Sequence, residues 1–223
     1  MTETERIRRL YDDRAATYDR SVGIGERILL GPFRQAFGAL LRGETIEVGV
    51  GTGLNIPHYS ADVTRAVGVD LSQEMLRHAR ERASHLGIPF ALVQADAEAV
   101  PFPDASFDTV AISLALCTIP DPGKALLELG RVCRPGGRIV MLEHVRSTSR
   151  PLAAVQKVLS PLNERAIGCH LDRETFDLAR SLGFSIDESW SRLFGSVRLV
   201  VARPPADVVL PSPDPINAGG MDT

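Results

Sequence analysis

The sequence has little of what builds disulfide scaffolds, metal centres or membrane spans. Three cysteines, Cys117, Cys133 and Cys169, stand far apart in 223 residues, and no CxxC pair occurs. A scattered, odd set predicts neither a disulfide framework nor a zinc site. No other metal-ligand constellation is visible. No apolar stretch approaches the length of a transmembrane helix, and the N-terminal residues lack the uninterrupted apolar core of a signal peptide. A reduced, cytoplasmic setting is the expectation. Charge of one sign is also lacking. A net charge of -3 gives no broad attraction for nucleic acid. No internal repeat is seen, so solenoids are excluded.

What is present suits one globular domain, with 44% hydrophobic and 24% charged residues. Residues 3–42 read as two helices. Ile7, Leu10, Tyr11 and Tyr18 fall at helical spacing in the first, and Ile28, Leu29, Phe33, Phe37 and Leu40 in the second. Gly43 ends that pair. Strand-like runs follow at Thr45–Val50, Arg65–Asp70, Phe90–Ala95, Asp108–Ser113 and Arg138–Glu143, with helical segments near 55–60, 72–85 and 121–133. Several of these strands are almost continuously apolar, as a sheet covered on both faces requires. A mostly helical insertion near 149–168 and a helix near 173–182 come next. Two last strands, near 184–190 and 196–202, turn about Phe194–Gly195 and are expected to pair antiparallel. The fold class is therefore α/β, Rossmann-like and doubly wound, with a seven-stranded, mostly parallel sheet. The chain divides into N-terminal helices over 1–43, a core over 44–203 and a proline-rich tail over 204–223 expected to be disordered.

The first strand runs into Glu47-Val-Gly49-Val-Gly51-Thr-Gly53. Glycines at a strand-to-helix turn let a ligand approach the backbone, since no Cβ intervenes. Such a turn also fits dinucleotide binding, and spacing separates the two. The fingerprint G-x-G-x-x-G would need a small residue where Leu54 stands, or, counted from Gly51, where Ile56 stands. Glu47 suits a ligand ammonium and would repel a pyrophosphate. Asp70 closes the second strand seventeen residues beyond Gly53, where an acid can take both ribose hydroxyls. Asp96 closes the third.

Glu-x-Gly-x-Gly-x-Gly, followed by Asp70 and Asp96, resembles the motif set of class I S-adenosylmethionine-dependent methyltransferases. The resemblance implies that Glu47, Gly49, Gly51, Thr52, Gly53 and Asn55 hold the amino-acid end of S-adenosylmethionine. It implies that Asp70 and Leu71 meet the ribose, and that Asp96 and the Ala97 amide read the adenine. Met75 packs on the adenine or, equally, in the core. Tyr18 would reach the cofactor from the N-terminal helices, which cap it in the family, and Ser113 from the fourth strand. Pro101–Asp108 and Arg131–Arg138 are similar to the segment leading into the fourth strand and to the turn into the fifth in ubiquinone/menaquinone-type methyltransferases.

Leu116-Cys117-Thr118, Glu143-His144-Val145 and Gly168–Thr175 resemble a narrower branch. That branch includes alkyl-thiol methyltransferases and bacterial proteins described as phospholipid N-methyltransferases. It implies a small, lipophilic acceptor methylated at nitrogen or sulfur. Carbon methylation of a quinone-like ring, and cofactor binding without catalysis, are the alternatives. Leu114, Cys117 and Glu143 fall at the carboxyl edge of the sheet, where open α/β sheets bind ligands. Tyr11 and His170 are further acceptor-side candidates. His144 reads either as a general base or as a hydrogen-bonded structural histidine, the second being favoured. Cys117 reads as a small buried residue. Leu152, Val155, Val158, Leu159 and Leu162 read first as a core-packing face and second as an apolar lid. Arg6, Arg8 and Arg9 beside Ile7 and Leu10 suit either a solvated helix face or peripheral membrane contact. No oligomeric state follows.

Overall fold

The computed structural model describes residues 1–205, leaving aside the side chains of 24–29. The expected tail beyond 205 and the side chains of Ile28 and Leu29 thus lie outside the described residues. Among the described residues no helix is long and apolar enough to cross a membrane, and no cluster of His, Cys, Asp and Glu is arranged to hold a metal.

Seven strands form one sheet in the order β3-β2-β1-β4-β5-β7-β6. They are β1 (Gly43–Val48), β2 (Val63–Asp70), β3 (Phe90–Gln94), β4 (Phe107–Ser113), β5 (Cys133–His144), β6 (Ser185–Arg192) and β7 (Val197–Arg203). The first five run parallel, and β7 lies antiparallel between β5 and β6. The parallel sheet and antiparallel pair are as expected from sequence, with the detail that β7 inserts inside β6. Strand order reverses between β1 and β4, so the loops leaving these strands diverge and open a crevice at their carboxyl ends.

Side-chain alternation explains the near-continuous apolar strands. Ile46, Val48, Val110, Ile112, Ile139 and Met141 face one layer, with Leu126 and Leu129 of α3 (Pro122–Val132) and Phe176 of α5 (Thr175–Ser181). Ala111, Val140, Leu142 and Leu199 face the other, with Leu30, Phe33 and Phe37 of α1 (Glu3–Ala39). Helix α2 (Gln73–Ala83) adds Leu76 and Ala79 against Val50 and Ile56.

Helix α1 is broken at Gly23, whose φ of 60° is non-helical, so two helical pieces form as expected. Their jobs differ. The second piece covers the sheet and reaches the crevice through Arg34, whereas the first piece roofs it. Thr2 starts α1 with a capping box closed by Glu5. Helix α4 (Arg150–Ile167) ends at Gly168 in the left-handed conformation.

The largest departure concerns α4. Val155, Val158, Leu159 and Leu162 are exposed, so the core-packing reading of that face is corrected, and only Leu152 among the five is partly covered. The helix buries Ala153 and Ser160 instead. Apolar periodicity fixed a stripe but carried no information about which side of the helix meets the sheet.

Gly38, inside α1, sits where an added Cβ would lie 2.0 Å from the carbonyl oxygen of His58. In an open helix Gly→Ala gains about 1 kcal/mol. Here Gly38→Ala is expected to lose roughly 2 kcal/mol through the backbone clash, measured by urea unfolding. A stabilised variant would mean that α1 does not press on the 56–58 turn.

Candidate functional site

The crevice runs across the ends of β3, β2, β1 and β4 beneath the first piece of α1. Its floor begins at the glycine turn. Gly49, Gly51 and Gly53 have φ of 71°, 57° and 83°, conformations that L side chains rarely adopt. A Cβ on Gly49 would meet Ala115 at 2.5 Å, whereas a Cβ on Gly51 would meet nothing within 4 Å. The first glycine is thus needed for packing, and the second leaves open space for a ligand.

Asp70 locks this turn. Its carboxylate accepts the Gly51 amide at 2.8 Å and the Ser72 amide at 2.9 Å. Burial pushes its pKa up to about 6, against the amides that favour the charged form. Each oxygen keeps a further lone pair for a ligand hydroxyl. Ser72 caps α2 through the Met75 amide and donates to Asp12 of α1 at 2.6 Å. Thr52 donates to Asp19 at 2.7 Å, and Arg82 bridges Asp19 and the Thr52 carbonyl. Asp12 and Asp19 thereby fasten the roof to the floor.

Most of the expected cofactor residues line this one crevice: Tyr18, Gly49, Gly51, Thr52, Asn55, Asp70, Leu71, Met75, Asp96, Ala97 and Ser113. Tyr11 and Leu114, expected on the acceptor side, line it too. Glu47 and Gly53 do not. Glu47 is fully buried beneath the turn, where it accepts Asn55 Nδ2 at 2.6 Å and the Tyr59 hydroxyl at 2.5 Å. Burial pushes its pKa up to about 7. Pairing of Glu47 with a ligand ammonium is therefore corrected to support of the loop. Gly53 contributes close packing on Ile56 and Ala79.

Cys117, Glu143, His144 and His170 also stand outside the crevice lining. Glu143 is fully buried and accepts the Ala115 and Leu116 amides, both at 3.1 Å. It shapes the loop after β4, in which Leu114 takes a positive φ of 53°. His144 ends β5, its backbone opposite Val197 of β7, and its side chain is not among those that line the crevice. Cys117 is buried; its contact with Cys169 and its burial push its thiol pKa well up, the opposite of an activated nucleophile. His170 donates its backbone amide to the Cys117 carbonyl and holds its ring 3.8 Å from Glu164.

Sequence reasoning missed Thr4, Ile7, Arg8, Arg34, Thr118, Ile119 and Pro120, all of which line the crevice. Arg34 reaches it from the second piece of α1, donating to Asn55 Oδ1 at 2.6 Å. No motif marks Thr4, Ile7, Arg8 and Arg34, which the folding back of α1 brings in, whereas Thr118, Ile119 and Pro120 follow β4 at the edge of the sheet. Ile7 is buried there, so the apolar side of the N-terminal helix turns inward rather than toward a membrane. Arg6 pairs with Glu3 at 2.5 Å on the exposed side.

Residues 46–141 match the family model described as a methyltransferase domain. The phosphatidylethanolamine N-methyltransferase of Cereibacter sphaeroides is 42% identical over 132 residues, 58% of this chain and 64% of its own. A ubiquinone/menaquinone biosynthesis C-methyltransferase of an Enterobacter species is 38% identical over 118 residues, 50% of this chain and 47% of its own. The chain thus spans about half to two thirds of the length of these curated relatives. An S-adenosylmethionine-dependent methyltransferase of Thermotoga maritima superposes with a TM-score of 0.65 at 22% identity, covering 87% of this chain and 98% of that one. That likeness shows the fold alone.

The crevice suits S-adenosylmethionine, the cofactor that the sequence resemblance implies. The Ser113 hydroxyl is buried there without a partner, Gly51 leaves room, and Asp70 keeps acceptor capacity.

Two outcomes follow. Asp70→Ala should weaken S-adenosylmethionine binding about 100-fold by calorimetry, the worth of two charge-assisted hydrogen bonds. Unchanged affinity would remove Asp70 from the site. The second concerns Glu143, which burial raises from 4.5 to about 8. Between these values the folded chain holds a proton that the unfolded chain has released, so this contribution to stability falls as pH rises and levels off above about 8. The stability of the wild type relative to Glu143→Gln should therefore decline from about pH 5 to about pH 8 in urea titrations. A difference that stays flat with pH would mean that Glu143 titrates as an ordinary glutamate.

Proposed function

We propose that the protein transfers a methyl group from S-adenosylmethionine to the amine of a phospholipid headgroup. The observation that carries this reading is the lining of the crevice on its β4 side. There Ile7, Leu114, Ile119 and Pro120 supply apolar wall, Thr4, Ser113 and Thr118 supply hydroxyls, and Arg8 is the cation. Among the described residues that line the crevice on that side there is no carboxylate or histidine. The two acids of the lining, Asp70 and Asp96, belong to the ends of β2 and β3. Carbon methylation of a ring calls for a base near the acceptor, whereas a neutral amine brings its own lone pair. The likeness to the Cereibacter sphaeroides protein supports the same reading.

S-adenosylmethionine supplies an activated methyl whose leaving group is already built in. The protein's part is alignment and exclusion of water. In this reading Gly49, Gly51 and Asp70 hold the donor, with Thr52 and Asn55 fixing the turn. Tyr11 stands 3.4 Å from both the Thr118 hydroxyl and the Ile167 carbonyl. Burial pushes its phenol well above its ordinary pKa, so it remains a neutral hydrogen-bonding group and does not take the acceptor's proton. The amine would enter deprotonated, its lone pair forming the new N–C bond as the sulfonium S–CH3 bond breaks and its electron pair stays on the sulfur of S-adenosylhomocysteine, and the methylated ammonium would give its proton to solvent. Arg8 meets the headgroup phosphate.

The test is transfer of labelled methyl to phosphatidylethanolamine, an alkyl thiol and a demethylated quinone, each presented in detergent micelles. Label is expected in phosphatidylethanolamine, and label only in the quinone would overturn the reading. Arg8→Ala should raise KM for phosphatidylethanolamine by roughly tenfold with kcat nearly unchanged, as loss of uniform binding requires. An unchanged KM would remove Arg8 from headgroup recognition.

A further inference from the structure

Helix α4 carries an apolar face that the fold leaves uncovered. Val155, Val158, Leu159 and Leu162 recur at i, i+3, i+4 and i+7, so they share one side of the helix. Val158 is 77% and Leu162 69% exposed. The tip of the β6–β7 hairpin adds a second piece. Phe194 is 74% exposed and Leu193 41%, and both have positive φ, 53° and 51°. Tight hairpin turns of this kind favour Asn and Gly, so two large apolar residues here cost backbone strain without gaining burial. The tip is fastened beside the start of α4, because the Thr148 amide and the Ser147 and Thr148 hydroxyls all donate to the Phe194 carbonyl.

Charge identifies what covers this surface. Arg150, Lys157 and Arg165 lie on α4 and are exposed, and none forms an ion pair among the described residues. A cavity between the starts of α4 and α5 is lined by Arg146, Arg150, Lys157, Arg173 and Arg198 together with Asp172, Glu174 and Asp177, and the Arg198 Nε is buried there without a hydrogen-bond partner. A second copy docked face to face would set these cations against themselves. An occupant of opposite charge with an apolar interior meets both requirements. We infer that α4 and the β6–β7 tip form a docking surface for an anionic lipid bilayer, with Val158, Leu162 and Phe194 entering the interface and Arg150 and Lys157 meeting headgroups.

The position is apt for a membrane-borne acceptor. The carboxyl end of α4 adjoins the roof of the crevice, where Arg14 donates to the Ala166 carbonyl and Tyr11 to that of Ile167. Docking through α4 thus brings the crevice beside the bilayer. Since the overall charge is -3, the attraction is local to this face. The inference holds whichever lipid is methylated, and its test needs neither cofactor nor acceptor.

The full chain is floated with vesicles of phosphatidylcholine alone and of phosphatidylcholine mixed with phosphatidylglycerol, neither carrying a primary amine. Binding to the mixed vesicles is expected, with at least roughly tenfold weaker binding to phosphatidylcholine alone. Val158→Asp with Leu162→Asp, and separately Arg150→Glu with Lys157→Glu, should each lose about tenfold or more. The charge pair should also lose the sensitivity to salt. Arg9→Glu, exposed on α1, should bind as wild type. All positions changed are on the surface, and a matching thermal midpoint checks folding. Absence of wild-type binding to the mixed vesicles would overturn the inference, as would binding indifferent to both pairs. A dimer in sedimentation that Val158→Asp with Leu162→Asp dissolves would reassign the face to a second copy.

Discussion

The loops around the crevice are held by carboxyl groups withdrawn from water. Asp70 gathers the amides of Gly51 and Ser72, Glu143 gathers those of Ala115 and Leu116, and Glu47 takes Asn55 and Tyr59. Each stands at or near the carboxyl end of its own parallel strand. A buried, hydrogen-bonded acid is costly to place and costly to disturb, because removing one partner leaves the others unsatisfied. That is what allows a turn of three positive-φ glycines to keep one shape. Burial raises all three pKa values, against the hydrogen bonds that favour the charged form.

The fold was largely legible because its signals are repetitive. Alternating apolar runs and turn residues give the parallel strands, and the Phe194–Gly195 link gives the last hairpin. Strand ends moved by a few residues. One such shift is the start of β5 at Cys133, where pairing jumps from Cys133 opposite Phe107 to Arg138 opposite Thr109. The cofactor half of the site was legible for the same reason: its residues sit on the turns that end successive strands. Acids at such turns can face either way, however. Asp70 lines the crevice while Glu47 and Glu143 lie beneath it, and only the three-dimensional packing separates them.

The acceptor half was less legible. It is built by α1 folding back over the sheet, and Thr4, Ile7 and Arg8 carry no spacing that distinguishes them from an ordinary amphipathic helix. His144 and His170 are titratable groups near the carboxyl edge of the sheet, yet neither is among the residues that line the crevice. The face of α4 shows the same limit in reverse. Its periodicity was plain, but whether the stripe met core or solvent depended on Ala153 and Ser160, small residues that let the opposite side of the helix settle.

The account turns on the division of labour between Asp70, which faces the ligand, and Glu47, which supports the loop. A crystal structure with S-adenosylhomocysteine tests it most directly. The account predicts the nucleoside hydroxyls on Asp70, the amino-acid end over Gly49 and Gly51, and Glu47 still bound to Asn55 and Tyr59. A ligand seated elsewhere, or a Glu47 carboxylate released from Asn55 to grip the ligand ammonium, would contradict it.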